Sequence, residues 1–259
     1  MSKYLQYICS SQSAFVEQEI SVDLSDEEIK EVHIKFSSER DKPKRGLIRI
    51  TIWYQEPIDY DRAKELGDHK IQEIINSLVF VRGFQVGEPY LISENIKPQP
   101  LITNRMSIKF DIMLDLKQEQ IDEFIGLIKT SQTSHIYYEL YKQSMNHHDG
   151  LGKFMFLYSL LMVIIGASKQ QEVDAHILLA SPDELNYRRQ STKMIKQNGN
   201  MVRSNALETR FTWLRNHLGH TQVDSEIALA IKEINECLND LDDIVKNAIK
   251  EKITRHMNP

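Results

Sequence analysis

The sequence predicts an α+β protein, a β-rich N-terminal module over 1–115 followed by an all-α helical domain over 116–259. Two observations carry this. As far as residue 112, several segments place apolar side chains at every second position, the spacing of half-buried strands. From Leu116 onward the spacing changes to the 3.6-residue repeat of helices.

In the first module, Val32 to Phe36, Ile48 to Tyr54 and Met106 to Ile112 alternate as strands, and Asp41 to Gly46 reads as the turn of a hairpin between the first two. Asp59 to Phe80 interrupts the alternation with Leu66, Ile71, Ile74, Ile75 and Leu78 at helical spacing, which predicts one helix packed on the sheet. Gly83, Gly87, Pro89, Pro98 and Pro100 mark loops around a short strand near Tyr90. This half carries no phosphate-binding glycine loop, metal-ligand cluster or nucleophile motif. No chemistry is assigned to it and its role is open, with sensing of a trigger or docking of a protein partner as the reading it admits.

The second module reads as successive helices over Gln120 to Lys129, Ser134 to Met145, Gly152 to Ile165 and Gln171 to Ala180, the last stopped by Ser181-Pro182-Asp183. A final helix is expected from Ser225 to about Ile253. Its stripe of Ile227, Ala230, Ile231, Ile234, Leu238, Leu241, Ile244, Val245 and Ala248 offers more apolar surface than a short bundle covers, which predicts a homodimer through this domain.

Composition narrows the function classes. The 259 residues are 41% hydrophobic and 27% charged, as in globular proteins. The N-terminus shows no basic leader before an apolar run, so no signal peptide is expected. The most apolar stretch, Phe154 to Ile165, is too short to span a bilayer and reads as a buried helix, with no membrane partner. Cys9 and Cys237 are far apart in sequence and suit free thiols in the cytoplasm. A net charge of −5 argues against indiscriminate coating of nucleic acid.

Charge is unevenly placed. Between Asn186 and Gln222 stand Arg188, Arg189, Lys193, Lys196, Arg203, Arg210 and Arg215 against the single acid Glu208, a local net of +6. The segment reads either as a binding surface for RNA phosphates or as a solvated loop turning at Asn198-Gly199-Asn200.

Leu207 to Gln222, LETRFTWLRNHLGHTQ, is the stretch that points to chemistry. As a helix it places Leu207, Phe211, Leu214 and Leu218 on one apolar stripe and Glu208, Thr212 and Arg215 on a polar line beside it. Arg215 and His220 would lie about 140° apart on an unbroken helix, so their convergence requires a break, for which Gly219 is the natural stop. Thr221 to Asp224 then reads as the cap of the next helix.

Arg215-Asn216 followed by His220 resembles the Arg-polar-x3-His motif of the HEPN superfamily, and the context from Glu208 to Thr221 is most similar to its Apea-like and MauJ-like branch. The resemblance spans roughly Leu151 to Ile253. Arg62 with His69 and Arg210 with His217 have related spacings but lack the polar residue after Arg. The resemblance implies an HEPN-like bundle acting as a metal-independent endoribonuclease, in the manner of toxins and antiviral defence effectors. Arg215, Asn216 and His220 would be catalytic, Glu208 and Thr212 supporting, and Arg188, Arg189, Lys193, Lys196, Arg203 and Arg210 RNA-binding. It implies a homodimer that pairs two motifs, no cofactor, and 2′,3′-cyclic phosphate products. A second reading is a non-catalytic HEPN module that binds RNA, nucleotide or a protein partner.

Other constellations are weaker. His147-His148-Asp149, Asp174 with His176, and His217 with His220 have spacings generic enough that no metal site is expected. Tyr137, Tyr138, Tyr141, Phe154, Phe156 and Tyr158 read as core and helix contacts. Trp213, on the side of the helix carrying Arg210 and His217, reads either as an interface residue or as a platform for a base.

Overall fold

The computed structural model describes residues 3–257 apart from 25–27, 40–41, 84, 97–112, 115, 132, 134, 148, 192–193, 198–199 and 221–223. Within them the chain is α+β, with a five-stranded antiparallel sheet near the N-terminus and helices making up most of the remainder. It divides into two compact units, 1–145 and 146–259.

The sheet of the first unit is built from β1 (Lys3–Ser11), β3 (Gln18–Asp23), β4 (Ile29–Glu39), β5 (Lys42–Tyr54) and β6 (Tyr90–Glu94), in the order β3-β4-β5-β1-β6. Register explains its buried face. Leu5 pairs with Ile52, Ile52 with Val32 and Val32 with Val22, while the next inward row joins Tyr7, Ile50, Ile34 and Ile20. All eight are buried, and slipping any strand by one residue would turn its row outward. Two short segments, β2 (Ala14–Phe15) and β7 (Met113–Leu114), pair in parallel beside it.

Helix α1 (Tyr60–Arg82) begins at Asp59, whose carboxylate accepts the Arg62 N–H at 3.0 Å, and ends at Gly83 in the left-handed region. It lies close to β1 and β5 at Gly67, where any side chain would meet the Tyr54 and Tyr7 hydroxyls within 2.8 Å. Helices α2 (Gln118–Thr130) and α3 (Ile136–Met145) pack against α1. Asn76 Nδ2 donates to the Thr133 carbonyl at 3.0 Å, Lys70 bonds Ser131, and Phe80 meets the rings of Tyr138 and Tyr141 edge-on.

These contacts move the division of the chain. The sequence places it at 115/116, where the periodicity changes, whereas the compact units divide at 145/146 because α2 and α3 complete the core around α1. The hairpin also differs in detail. β5 starts at Lys42, so most of the stretch expected as turn is strand, and Gly46 is required there because Phe15 and the Ser13 carbonyl occupy the space of a side chain. The strand expected over 106–112 falls outside the described residues.

The second unit opens with α4 (Gly150–Ile165), capped by Asp149, and α5 (Gln170–Ala180), followed by a 3-10 turn over Pro182–Tyr187. Pro182 starts that turn, as expected for a helix stop. The basic segment is not a plain loop. It forms β8 (Arg189–Gln190) paired with β11 (Leu207–Glu208), and β9 (Met194–Gln197) paired with β10 (Asn200–Arg203). Asn198 and Gly199, the expected turn, lie outside the described residues.

Helices α6 (Arg210–His220) and α7 (Asp224–Met257) close the unit. The apolar stripe of α7 is covered within the unit: Ala230, Ile234, Leu241, Ile244, Val245 and Ala248 are buried, and α7 packs along α4. An uncovered stripe on α7 is therefore not an argument for a dimer. No single helix among the described residues is long and apolar enough to cross a membrane, and α4 buries one face, with Phe154, Leu157, Tyr158, Leu160, Leu161 and Ile164 inside and Phe156 and Val163 exposed.

Candidate functional site

Helix α6 is anchored by Thr209. The Thr209 hydroxyl accepts the Thr212 N–H at 3.4 Å as an N-terminal cap and donates to Asp174 Oδ1 at 2.6 Å. The backbone N–H of Thr209 donates to the same oxygen at 3.2 Å, so the buried Asp174 places negative charge at the positive end of α6. Asp174 Oδ1 thus serves as the acceptor that holds Thr209 at the start of α6.

Beyond this anchor the polar line of the motif becomes a buried network. Asn216, only 7% exposed, exchanges two hydrogen bonds with Gln170: Gln170 Nε2 donates to Asn216 Oδ1 at 2.6 Å, and Asn216 Nδ2 donates to Gln170 Oε1 at 3.1 Å. The same Nδ2 group donates to Glu208 Oε2 at 3.3 Å, and Arg215 Nη1 donates to Asn216 Oδ1 at 3.1 Å. The other oxygen of the buried Glu208 accepts from Ser191 Oγ. Glu208 therefore supports the motif through Asn216.

Thr212 is fully buried and faces Tyr158, with 2.7 Å between their hydroxyls. Burial pushes the Tyr158 phenol up to about 12, partly opposed by the Thr212 bond and the positive charge of Arg215. Arg215 itself is half-buried, with its guanidinium against Asn216.

Two expectations about this stretch are corrected. Leu207 belongs to β11 and is 50% exposed, so the apolar face of α6 consists of the buried Phe211 and Leu214 with half-buried Leu218. Secondly, α6 continues through Gly219 to His220. A glycine in the last turn weakens a helix by only about 1 kcal/mol relative to alanine, less than neighbouring packing can supply. Positions 215 and 220 thus stay about 140° apart, and position 220 falls within about 20° of Trp213.

The basic residues divide by role. Arg189 is paired with both oxygens of Glu233 and lies 4.6 Å from the Trp213 ring centre. Arg210 bridges Glu184 and Asp240 at 2.6 and 2.5 Å and covers the Tyr187 ring, and Arg188 donates to the Leu207 carbonyl at 2.6 Å. These three are tied into the fold, which departs from a reading of them as free phosphate ligands. Lys196, on β9, is exposed. Arg203 ends β10, and Lys193 lies outside the described residues.

The aromatic and histidine pairs are also resolved. Tyr138, Tyr141, Phe154 and Tyr158 are core, whereas Phe156 is 47% exposed and lies against His147 with ring centres 4.2 Å apart. His217 stacks on Trp213 at 4.4 Å with planes inclined by 13°. Among the described residues, no three His, Cys, Asp or Glu side chains are grouped to hold a metal ion.

Gln170, Ser191 and Asp174 are the network members that sequence reasoning missed as partners of the motif. Gln170 lies 46 residues before Asn216, and no local pattern marks it. Comparison of the chain with known protein families, curated proteins and solved structures gives no match.

Proposed function

We propose that the second unit is a metal-independent endoribonuclease of HEPN type that acts as a homodimer. The observation that carries this reading is the immobilised Arg215-Asn216 pair, in which Asn216 is clamped by Gln170 and Glu208 and accepts a hydrogen bond from Arg215. A planar guanidinium held at one end retains donors for a phosphate, and preorganised charge of this kind stabilises a developing phosphorane.

Cleavage of RNA without a metal requires a base for the 2′-hydroxyl proton and an acid for the departing 5′-oxygen. Imidazole titrates near neutrality and can serve as either. With two motifs across a two-fold axis, one neutral His220 takes the 2′-hydroxyl proton as the 2′-oxygen forms its bond to phosphorus. The bond from phosphorus to the 5′-oxygen breaks, and the partner's protonated His220 supplies the proton to that oxygen. The products are a 2′,3′-cyclic phosphate and a 5′-hydroxyl. Need for the dimer rests on this chemistry and on the separation of Arg215 from His220 along α6. Action as a toxin or defence effector follows from the same resemblance, and the two free thiols suit the cytoplasm.

That separation also favours a second reading, a non-catalytic module of the same type that binds RNA, nucleotide or a protein partner. Incubating the purified full chain with mixed RNA in EDTA distinguishes them. Cleavage lost in Arg215→Ala and His220→Ala supports the nuclease, whereas binding without cleavage supports the module.

A further inference from the structure

Beside the polar network, on another side of α6, lies an open cleft of about 660 Å³ that the proposed reaction does not use. Tyr187 lines it from the 3-10 turn, Arg189 from β8, Arg210, Trp213 and His217 from α6, and Leu229 and Lys232 from α7 together with the acids Glu233 and Glu236. Its volume lies within the range of small-molecule sites, about 300–1,000 Å³.

The lining is unlike a core or an ordinary solvated face. Trp213 and His217 are half-buried and stacked nearly parallel, and Tyr187 and Leu229 are 51% and 68% exposed, so aromatic and apolar surface remains facing the cleft. Arg189 is fixed against the Trp213 ring by its paired bonds to Glu233, which makes this wall rigid rather than adaptable. At the rim, Lys232 is exposed and paired only loosely with Glu236, 3.9 Å away. The cleft combines a flat aromatic wall, a pinned guanidinium and the exposed Lys232 ammonium. That combination accommodates a planar heterocycle with an attached phosphate.

We infer that this cleft binds an unpaired nucleobase of a single-stranded RNA, with the base against the Trp213–His217 stack and its phosphate at Lys232. The choice of RNA rests on the proposed function, and position 220 falls on the same side of α6 as Trp213, about 20° away. A base held there would anchor the strand on the side of α6 that carries position 220, about two turns before it. Recognition by stacking tolerates different bases, so the cleft supplies strand selectivity, single over double, rather than a sequence code.

The sequence contains two tryptophans, Trp53 and Trp213, so Trp53→Phe leaves Trp213 as the sole indole reporter. Its fluorescence is titrated with AMP, GMP, CMP and UMP. In parallel, anisotropy follows a labelled 2′-O-methyl tetranucleotide, which cannot be cleaved, on His217→Ala, Lys232→Ala and Arg215→Ala variants checked for unchanged melting. Saturable quenching is expected, with oligonucleotide affinity about tenfold or more weaker for His217→Ala and weaker for Lys232→Ala. Absence of quenching with unchanged affinity in both cleft variants overturns the inference, even if the protein cleaves RNA through Arg215. Quenching and cleft-dependent binding without any cleavage upholds it while removing the nuclease reading. Binding abolished only by Arg215→Ala places the strand elsewhere and also overturns it.

Discussion

The side-chain amides of Gln170 and Asn216 face one another and exchange two hydrogen bonds, at 2.6 and 3.1 Å. Because Asn216 Nδ2 also gives to Glu208 and Oδ1 also takes from Arg215, every polar atom of the Asn216 side chain is engaged by protein. An amide held at both ends cannot rotate, and the guanidinium bonded to it is oriented with it.

Gln170→Ala should therefore act on function more than on folding. Gln170 is half-buried, so its loss costs about 1 kcal/mol, whereas a freed Asn216 leaves Arg215 poorly aimed and RNA cleavage falls about tenfold or more. Asn216→Ala, which strands the buried Glu208, should in addition lower stability by about 1–3 kcal/mol. Thermal melting beside a cleavage assay separates the two effects. Equal activity of Gln170→Ala and the parent would show that the clamp positions nothing.

Phe211 and Leu207 should respond oppositely to truncation. Phe211 is fully buried and Leu207 is 50% exposed on β11. Phe211→Ala is expected to cost about 3–5 kcal/mol and Leu207→Ala under about 1 kcal/mol. Urea unfolding of both variants measures this. A large loss at Leu207 would restore a helical stripe that includes it.

Charge reversal should likewise sort the basic segment. Arg189→Glu breaks the pair with Glu233 and sets two carboxylates against each other, so melting falls by several degrees. Lys196→Glu, at an exposed position, should leave melting unchanged and reduce the salt dependence of RNA binding by about one ion per lost phosphate contact. Fluorescence anisotropy across a salt series reads this slope. An unchanged slope for Lys196→Glu would mark β9 as a solvated surface.

The thiols should be inert while the chain is folded. Cys9 and Cys237 are free and buried, and burial pushes both thiols up to about 12, so at pH 8 each is protonated. Iodoacetamide is expected to modify neither until denaturant is added, since the thiolate is the reactive form and appears only as pH approaches 12. Mass spectrometry of native and unfolded protein checks it. Rapid native alkylation of Cys237 would contradict its burial between α7 and the rest of its unit.

Elements with strong periodicity were legible before the structure. Val32 to Phe36 and Ile48 to Tyr54 alternate cleanly and lie in β4 and β5, and Asp59 to Phe80 corresponds to α1 with Asp59 as its cap. β1 was not legible because Tyr4 and Ile8, on its outward side, blur the contrast with inward Leu5, Tyr7 and Cys9. β8 and β11 are two residues long and far apart in sequence, so their pairing depends on tertiary partners rather than on local pattern, whereas β9 and β10 pair locally, on either side of positions 198 and 199 where a turn was expected. A change of periodicity marks a change of element, not of domain, and so 115 stood in for 145. The motif residues were visible as a spacing. Their support was not, because Gln170 and Ser191 reach Asn216 and Glu208 only through tertiary contact.

Cleavage chemistry at Arg215 and His220 is the central claim, and one experiment bears on it directly: end-group analysis of RNA incubated with the full chain, Arg215→Ala and His220→Ala in the presence of EDTA. The parent should yield 2′,3′-cyclic phosphate and 5′-hydroxyl ends with DNA untouched, and each substitution should lower the rate at least about a hundredfold, the usual worth of one acid–base or charge-stabilising group. Cleavage that needs a divalent metal, yields 3′-hydroxyl ends or persists in both variants would contradict the account.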